Sequence, residues 1–393
     1  MVEQHELETS WSLVVDRGGL EHAAEALARG TGPAGVDAER ASGFRYGAEA
    51  YLVQVHRHGA GTFLFDPTEL DTFDPLAEAL DGQEWILHSA SQDLACLEEI
   101  GLVPERLFDT ELASRLLGFD RVGLGAIVER LLGIRLHKAH SAADWSTRPL
   151  PEPWLEYAAL DVALLPDLRD AVAQELAAQG KEEFAAQEFE AVRTRAPKPP
   201  AAEPWRRLSG GNRLKSPREL AIARELWLAR DELARARDTA PGRLLPDASL
   251  VLAASTQPRS AGQLAAMRDF RGRASRTELE RWWAAILRGK TTDDLPGPAP
   301  REAGAMPHHR GWAQRHPEAA ARLAAAREVI AAESERLQIP AENLLTPELL
   351  RRLVWDPPRP VTPDAVRERL DVLGARPWQS ELVAPLLAAA LSD

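Results

Sequence analysis

Short apolar runs alternate with helical periodicities over residues 1–190, and helical periodicity dominates the rest of the chain. Trp11-Ser12-Leu13-Val14-Val15 has the length and composition of a strand, and Leu20 to Arg29 those of an Ala/Leu/Glu-rich helix. Val36-Asp37-Ala38-Glu39 reads as a strand, although its lead-in, Thr31-Gly32-Pro33-Ala34-Gly35, is poor strand sequence. Tyr51-Leu52-Val53-Gln54-Val55 and Thr62-Phe63-Leu64-Phe65 are stronger strands, and the short Gly59-Ala60-Gly61 turn between them predicts an antiparallel pair. Trp85-Ile86-Leu87-His88 predicts another strand, followed by a helix with Leu94, Leu97 and Ile100 at helical spacing. Arg106-Leu107-Phe108 precedes further helices, one around Gly125 to Leu132 and one over Trp154 to Val162. Strand–helix alternation with an antiparallel meander predicts an α/β domain built on a mixed sheet.

Beyond this domain the chain becomes Pro- and Ala-rich over 193–205, a stiff linker. Ser216-Pro217-Arg218-Glu219 is a helix start, with Ser as N-cap and Pro in the first turn. A second Pro/Gly/Asp-rich gap covers 291–307, and helical pattern resumes from Pro317. The two helical halves echo each other. Arg243-Leu244-Leu245-Pro246-Asp247-Ala248-Ser249-Leu250 matches Pro340-Ala341-Glu342-Asn343-Leu344-Leu345-Thr346-Pro347-Glu348-Leu349, each behind a long Ala/Arg/Glu helix. The expected division is an α/β domain at 1–192, linkers at 193–205 and 291–307, and all-α modules at 206–290 and 308–393.

Composition narrows the function classes. The net charge of −13 argues against a protein that coats nucleic acid by bulk electrostatics; any grip on a polyanion must be local. The densest cationic run, Arg206, Arg207, Arg213, Lys215 and Arg218, is either a phosphate track or a solvated linker edge. A single cysteine, Cys96, excludes an internal disulfide and reads as a small buried residue. No apolar run has membrane-spanning length and the acidic N-terminus lacks a signal peptide's charge, so the expectation is a cytoplasmic protein without membrane contact. Arg288-Gly289-Lys290-Thr291 imitates the end of a phosphate-binding loop, but Ala284 replaces the earlier glycine and a helix precedes it. Gly289 therefore reads as a helix C-cap, and no nucleotide cofactor is expected. No Gly-x-Ser-x-Gly elbow is present, and Trp282-Trp283 reads as half core.

The candidate chemistry lies in scattered acids. On a strand, Asp37 and Glu39 project from one face, and two carboxylates so close need a shared proton or cations, best met by hard ions such as Mg²⁺ or Mn²⁺. Asp93 falls in a first helical turn, where simple N-capping would also account for it. Tyr157 and Asp161 stand one turn apart on one helix face. Taken singly, each is an ordinary surface or capping residue. Together they match what two-metal phosphodiester cleavage requires, acids holding two cations about 3.5–4 Å apart.

These residues resemble the DEDD exonucleases, in the subgroup with tyrosine in the third motif, and within it the ribonuclease D family. Asp37-Ala38-Glu39 matches the first motif, His88-x4-Asp93-Leu94 the second, and Tyr157-Ala158-Ala159-Leu160-Asp161-Val162 the third. Lys138-x5-Asp144-Trp145-Ser146-Thr147-Arg148-Pro149-Leu150 extends the likeness, and both helical modules resemble the HRDC module (helicase and RNase D C-terminal). The resemblance implies a ribonuclease-H-like fold and 3′→5′ hydrolysis of RNA 3′ ends, such as tRNA precursors, to nucleoside 5′-monophosphates with two divalent ions. It implies Asp37, Glu39, Asp93 and Asp161 as metal ligands and Tyr157 as the residue that orients the attacking water. It further implies His88, Lys138 and Arg148 as substrate contacts, each with a structural alternative. Two other functions remain open: a DNA 3′→5′ exonuclease of the same chemistry, and a non-catalytic RNA-binding scaffold, whose mark would be a lost acid.

Overall fold

The computed structural model describes residues 10–136, 142–196, 199, 201–270, 272–297 and 306–392. Six strands, β1 (Trp11–Val14), β2 (Thr31–Arg40), β3 (Ala50–His58), β4 (Gly61–Phe65), β5 (Glu84–Leu87) and β6 (Arg106–Asp109), form one sheet in the order β1-β4-β3-β2-β5-β6. β3 runs against its neighbours β2 and β4, and the other neighbouring pairs are parallel. The mixed α/β sheet followed by helices is the architecture that the hydrophobic pattern predicts.

β2 is longer than its lead-in suggests. Its register with β3 slips between Thr31 and Gly35, so Gly32 (φ +72°) and Pro33 sit in an irregular stretch where neither needs a ladder bond. Ala34 and Gly35 pair with β5 on the other side, and the strand continues unbroken to Arg40. Alternation then sorts the sheet's two faces. Val36, Ala38, Val53 and Val55 pack with Leu20, Ala23 and Leu27 of the helix Arg17–Arg29. Leu52 and Leu64 lie on the opposite face, beneath Leu155, Ala158 and Ala159 of the helix Glu152–Ala163 and beside Trp145. Asp37, Glu39 and Gln54 belong to this second face.

The first helical module has its own core, in which the helices Pro217–Ala236 and Leu279–Thr291 meet through Leu226, Trp282 and Ile286. Trp282 is fully buried and Trp283 half-buried, as expected. The second module packs against the sheet domain: Phe108, Leu168 and Phe189 share one continuous core with Trp312, Leu353, Trp378 and Leu387. The Trp378 indole N–H donates to Glu188 (3.1 Å) across that junction. The internal repeat is visible in the backbone. The long helices begin at Pro217 and Pro317, left-handed residues follow at Asp238 and Gln338, and extended residues close the short turns at Leu245 and Leu345.

Gly289 is not a C-cap. It lies inside the helix Leu279–Thr291, and a Cβ there would stand 2.5 Å from Ile222 Cα, so the glycine serves close helix–helix packing. Lys290 donates to the carbonyls of Gln257 (3.0 Å) and Pro258 (2.5 Å), a bracing role rather than a phosphate contact. The cationic run is likewise partly committed: Arg206 pairs with Glu203, Lys215 bonds Asn212, and Arg218 holds the carbonyls of Gly289 and Thr292. Among the described residues, no helix is long and apolar enough to cross a membrane.

Candidate active site

Three of the sequence-predicted acids converge. Carboxylate oxygens of Asp37 and Glu39 on β2 and of Asp161 on the helix Glu152–Ala163 lie within 4.8 Å of one another, all half-buried. The helix can approach the strand so closely because residue 35 has no side chain. A Cβ on Gly35 would be 2.8 Å from the Val162 carbonyl oxygen and 3.1 Å from Leu165 Cβ. Gly35→Val is therefore expected to push the Asp161 helix off the strand. Such overpacking costs about 1–3 kcal/mol, and catalysis, which depends on sub-ångström placement, should fall by roughly 10²-fold. Melting temperature and hydrolysis rate measured side by side check this; an unchanged rate would show that the acids do not act as a unit.

Asp93 does not join that three-way contact, and although it stands at the N-cap position its side chain makes no capping bond. Its backbone carbonyl accepts from Leu97 N (3.0 Å) and the Cys96 thiol (3.1 Å), while its buried carboxylate faces the Arg40 guanidinium at 3.3 Å. The preceding turn is set by Asp109, whose carboxylate accepts from Ser89 N (3.1 Å), Ala90 N (2.9 Å) and Leu112 N (3.0 Å). Ser89 adopts a left-handed conformation (φ +68°) there, which turns the chain from β5 toward Asp93. Cys96 is the small buried residue expected, its thiol pushed up to about 12 by burial.

The electrostatics are those of a site that wants cations. Burial, reinforced by the charges of Asp37, Asp161 and Asp93, pushes Glu39 up to about 9. Burial and the Asp37 charge push Asp93 to about 8 and Asp161 to about 7; burial pushes Asp37 to about 6, against a backbone hydrogen bond from Ala38 and the pull of Arg40. The Arg40 guanidinium thus offsets the charges of Asp37, Glu39 and Asp93, yet these three and Asp161 are all held above the ordinary carboxylate range. This donor set fits a hard divalent cation, which would supply the missing positive charge. Tyr157, one turn before Asp161, is hydrogen-bonded to it and pushed well above its usual range by burial and the neighbouring carboxylates. Its hydroxyl donates to Asp161.

The other predicted contacts fare differently. His88 caps the end of β5 with Nδ1 2.9 Å from Thr110 Oγ1, and that hydroxyl donates to Leu87 O (3.3 Å). The proton therefore sits on His88 Nδ1, and burial lowers the imidazole to about 4, so the ring is neutral and braces the second motif. Arg148 is engaged within the protein. Its N–H groups bond Thr68 Oγ1 (3.3 Å), the carbonyls of Trp145 (2.8 Å), Thr147 (2.9 Å) and Tyr51 (2.8 Å), and buried Asp66 (2.7 Å). It is a strut for the loop after Asp144. Lys138 lies outside the described residues.

Arg40 escaped the sequence reading because strict alternation would put it on the face away from Asp37 and Glu39. A register shift between Glu39 and Arg40 breaks the alternation and lets the guanidinium reach Asp93. The loop that follows carries the first helical module. Arg45 bridges Ser146 (2.7 Å) and Asp238 (3.3 Å), and the Tyr46 hydroxyl donates to Asp231 (2.9 Å).

Comparison with known proteins agrees with this geometry. A family model described as 3′-5′ exonuclease matches residues 13–177, the HRDC domain model matches 219–286, and one described as the 3′ to 5′ exonuclease C-terminal domain matches 305–391. Ribonuclease D of Granulibacter bethesdensis is 31% identical over 300 residues, which cover 74% of this chain and 71% of that protein. The chain belongs to the ribonuclease D family. As a ribonuclease D family member with its acids gathered, it is a 3′→5′ exoribonuclease, a phosphodiester hydrolase. Escherichia coli RNase D, whose crystal structure is described as that of an exoribonuclease involved in structured RNA processing, is 26% identical. It covers 97% of this chain and 98% of its own with a TM-score of 0.70. A crystal structure of a protein from Bifidobacterium adolescentis is 36% identical, covers 98% of this chain and all of its own, and has a TM-score of 0.88. The likeness to Escherichia coli RNase D thus spans the helical part of the chain as well as the sheet domain.

Proposed function

We propose that this protein trims the 3′ ends of structured RNAs, such as tRNA precursors, in the cytoplasm, releasing nucleoside 5′-monophosphates with the help of two divalent ions. The gathering of Asp37, Glu39 and Asp161 carboxylates within 4.8 Å carries this reading. In it, Asp37, Glu39 and Asp161 would hold one cation, and Asp37 and Asp93 would support the second. Bound there, such ions would supply the positive charge that acidifies an attacking water and offsets charge on the leaving 3′-oxygen. The protein's own part is positional. Tyr157 fixes the Asp161 carboxylate through its hydroxyl and orients the incoming water, its raised pKa keeping it from acting as a base. Arg40, whose guanidinium lies 3.3 Å from Asp93, is the cation within this acid cluster and the residue of this chain placed to meet the scissile phosphate. Residues 1–192 form the catalytic domain in this reading, and the modules at 206–290 and 308–393 guide RNA to it. A matched pair of oligonucleotides, one RNA and one DNA, each with a 3′ overhang, tests the proposal. With Mg²⁺ or Mn²⁺ the RNA is expected to shorten by single nucleotides and the DNA at least tenfold more slowly. Equal rates would assign a sugar-indifferent nuclease, and no release from either would leave a binding scaffold.

A further inference from the structure

Gln54 has no part in the proposed mechanism. It is fully buried, yet neither amide atom has a hydrogen-bond partner among the described residues. A buried amide left unpaired carries a desolvation cost that an apolar side chain of the same size would not, so its presence asks for a reason. Its position in the ladder supplies one. Gln54 on β3 is directly opposite Asp37 on β2, and cross-strand partners share a face with Cβ atoms about 4.5–5.5 Å apart. On its other side stands Leu64, which offers nothing polar. The helix that delivers Tyr157 and Asp161 covers the same face.

In this arrangement the Asp37 carboxyl takes a hydrogen bond from the backbone of Ala38, and the Gln54 amide is left over. A carboxylate that holds a cation must present a fixed oxygen to it, and a donor on its remaining lone pair fixes that orientation. We propose that Gln54 is a positioning residue for Asp37: its Nε2–H donates to the Asp37 carboxylate, directly or through one water, when that carboxylate carries a cation. The unpaired amide is then the waiting half of a hydrogen bond completed on metal binding. Placing the donor on β3 ties it to the same rigid sheet as the ligand, so the orientation does not depend on a loop.

This rests on the reading that Asp37, Glu39 and Asp161 bind a divalent ion, and the experiment separates the two. Mn²⁺ binding is measured by electron paramagnetic resonance on full-length wild type, Gln54→Met and Gln54→Leu, with melting temperature in EDTA as the folding control. Wild type should bind Mn²⁺, both variants should bind it at least tenfold more weakly, and both should melt in EDTA at or above wild type. RNA hydrolysis by the variants should recover at raised Mn²⁺ with KM for RNA unchanged. Wild-type Mn²⁺ affinity in either folded variant would overturn the role of Gln54. Failure of the wild type to bind Mn²⁺ would overturn the metal reading beneath it. A residue serving only the core would lower the melting temperature and leave the affinity of the folded protein intact, which also counts against the proposal.

Discussion

Asp161→Asn should reduce nucleotide release from an RNA 3′ end by a thousandfold or more, about 4 kcal/mol of lost transition-state stabilisation, while the metal-free protein melts no lower than wild type. The two halves of this expectation come from the same geometry. Asparagine has the shape of aspartate and keeps an oxygen to accept from the Tyr157 hydroxyl, so the turn of helix over β2 is not disturbed. What disappears is one negative charge among three carboxylates that lie within 4.8 Å, and with it a ligand for a cation. Without metal, those charges repel, so removing one relieves the folded state. With metal and RNA, the same charge helps fix the ion that the reaction requires. Gel resolution of single-nucleotide products, alongside calorimetry in EDTA, reads both effects. A rate lowered only a few-fold would mean that Asp161 is a neighbour of the site and not one of its ligands. Asp37→Ala should be as inactive, but it also removes packing under the helix, so Asp161→Asn is the cleaner test.

Most of the fold was legible in the sequence because apolar alternation and helical spacing are local signals. β3 and β4 with their glycine turn, the helix carrying Tyr157 and Asp161, and the helix start at Ser216 fall where these signals put them. The start of β2 was not legible, since Gly32 and Pro33 are disfavoured in strands and only the register slip opposite His58 and His56 explains how they are accommodated. Gly35 carries the same lesson. It weakens the strand as a local preference, and its purpose appears only when Val162 is brought against it. At the site, the acids could be read because each belongs to a short motif. Arg40, Gln54 and Asp109 could not, because their roles arise from a broken alternation, a cross-strand pairing and a tertiary contact with the Ser89 turn. Arg148 was suggested as a phosphate contact by the family resemblance alone, and its bonds to buried Asp66 and several carbonyls could not be read because their partners are distant in sequence.

In the absence of metal, the protein should lose stability as pH rises from about 5 to 9, and the gain in melting temperature on adding Mn²⁺ should grow over the same range. The direction follows from the carboxyls of Asp37, Asp161, Asp93 and Glu39, raised to about 6, 7, 8 and 9 in the fold. In the unfolded chain they titrate near 4. An acid whose folded pKa is raised contributes its stability fully below the unfolded value and loses it as pH climbs through the folded value. The folded protein therefore holds extra protons between these limits, and stability must fall with pH there. The four groups share one field, so the fall is spread over the window and belongs to the set. A divalent ion reverses the sign, since it binds the ionised carboxylates and must displace their protons, a competition that eases as pH rises. Nucleotide release at limiting Mn²⁺ should climb through the same interval for the same reason. Melting curves with EDTA and with Mn²⁺ at several pH values test the linkage. A metal-free melting temperature that is flat or rising across the window would mean that these carboxylates are already neutralised by the protein, leaving no electrostatic demand for an ion.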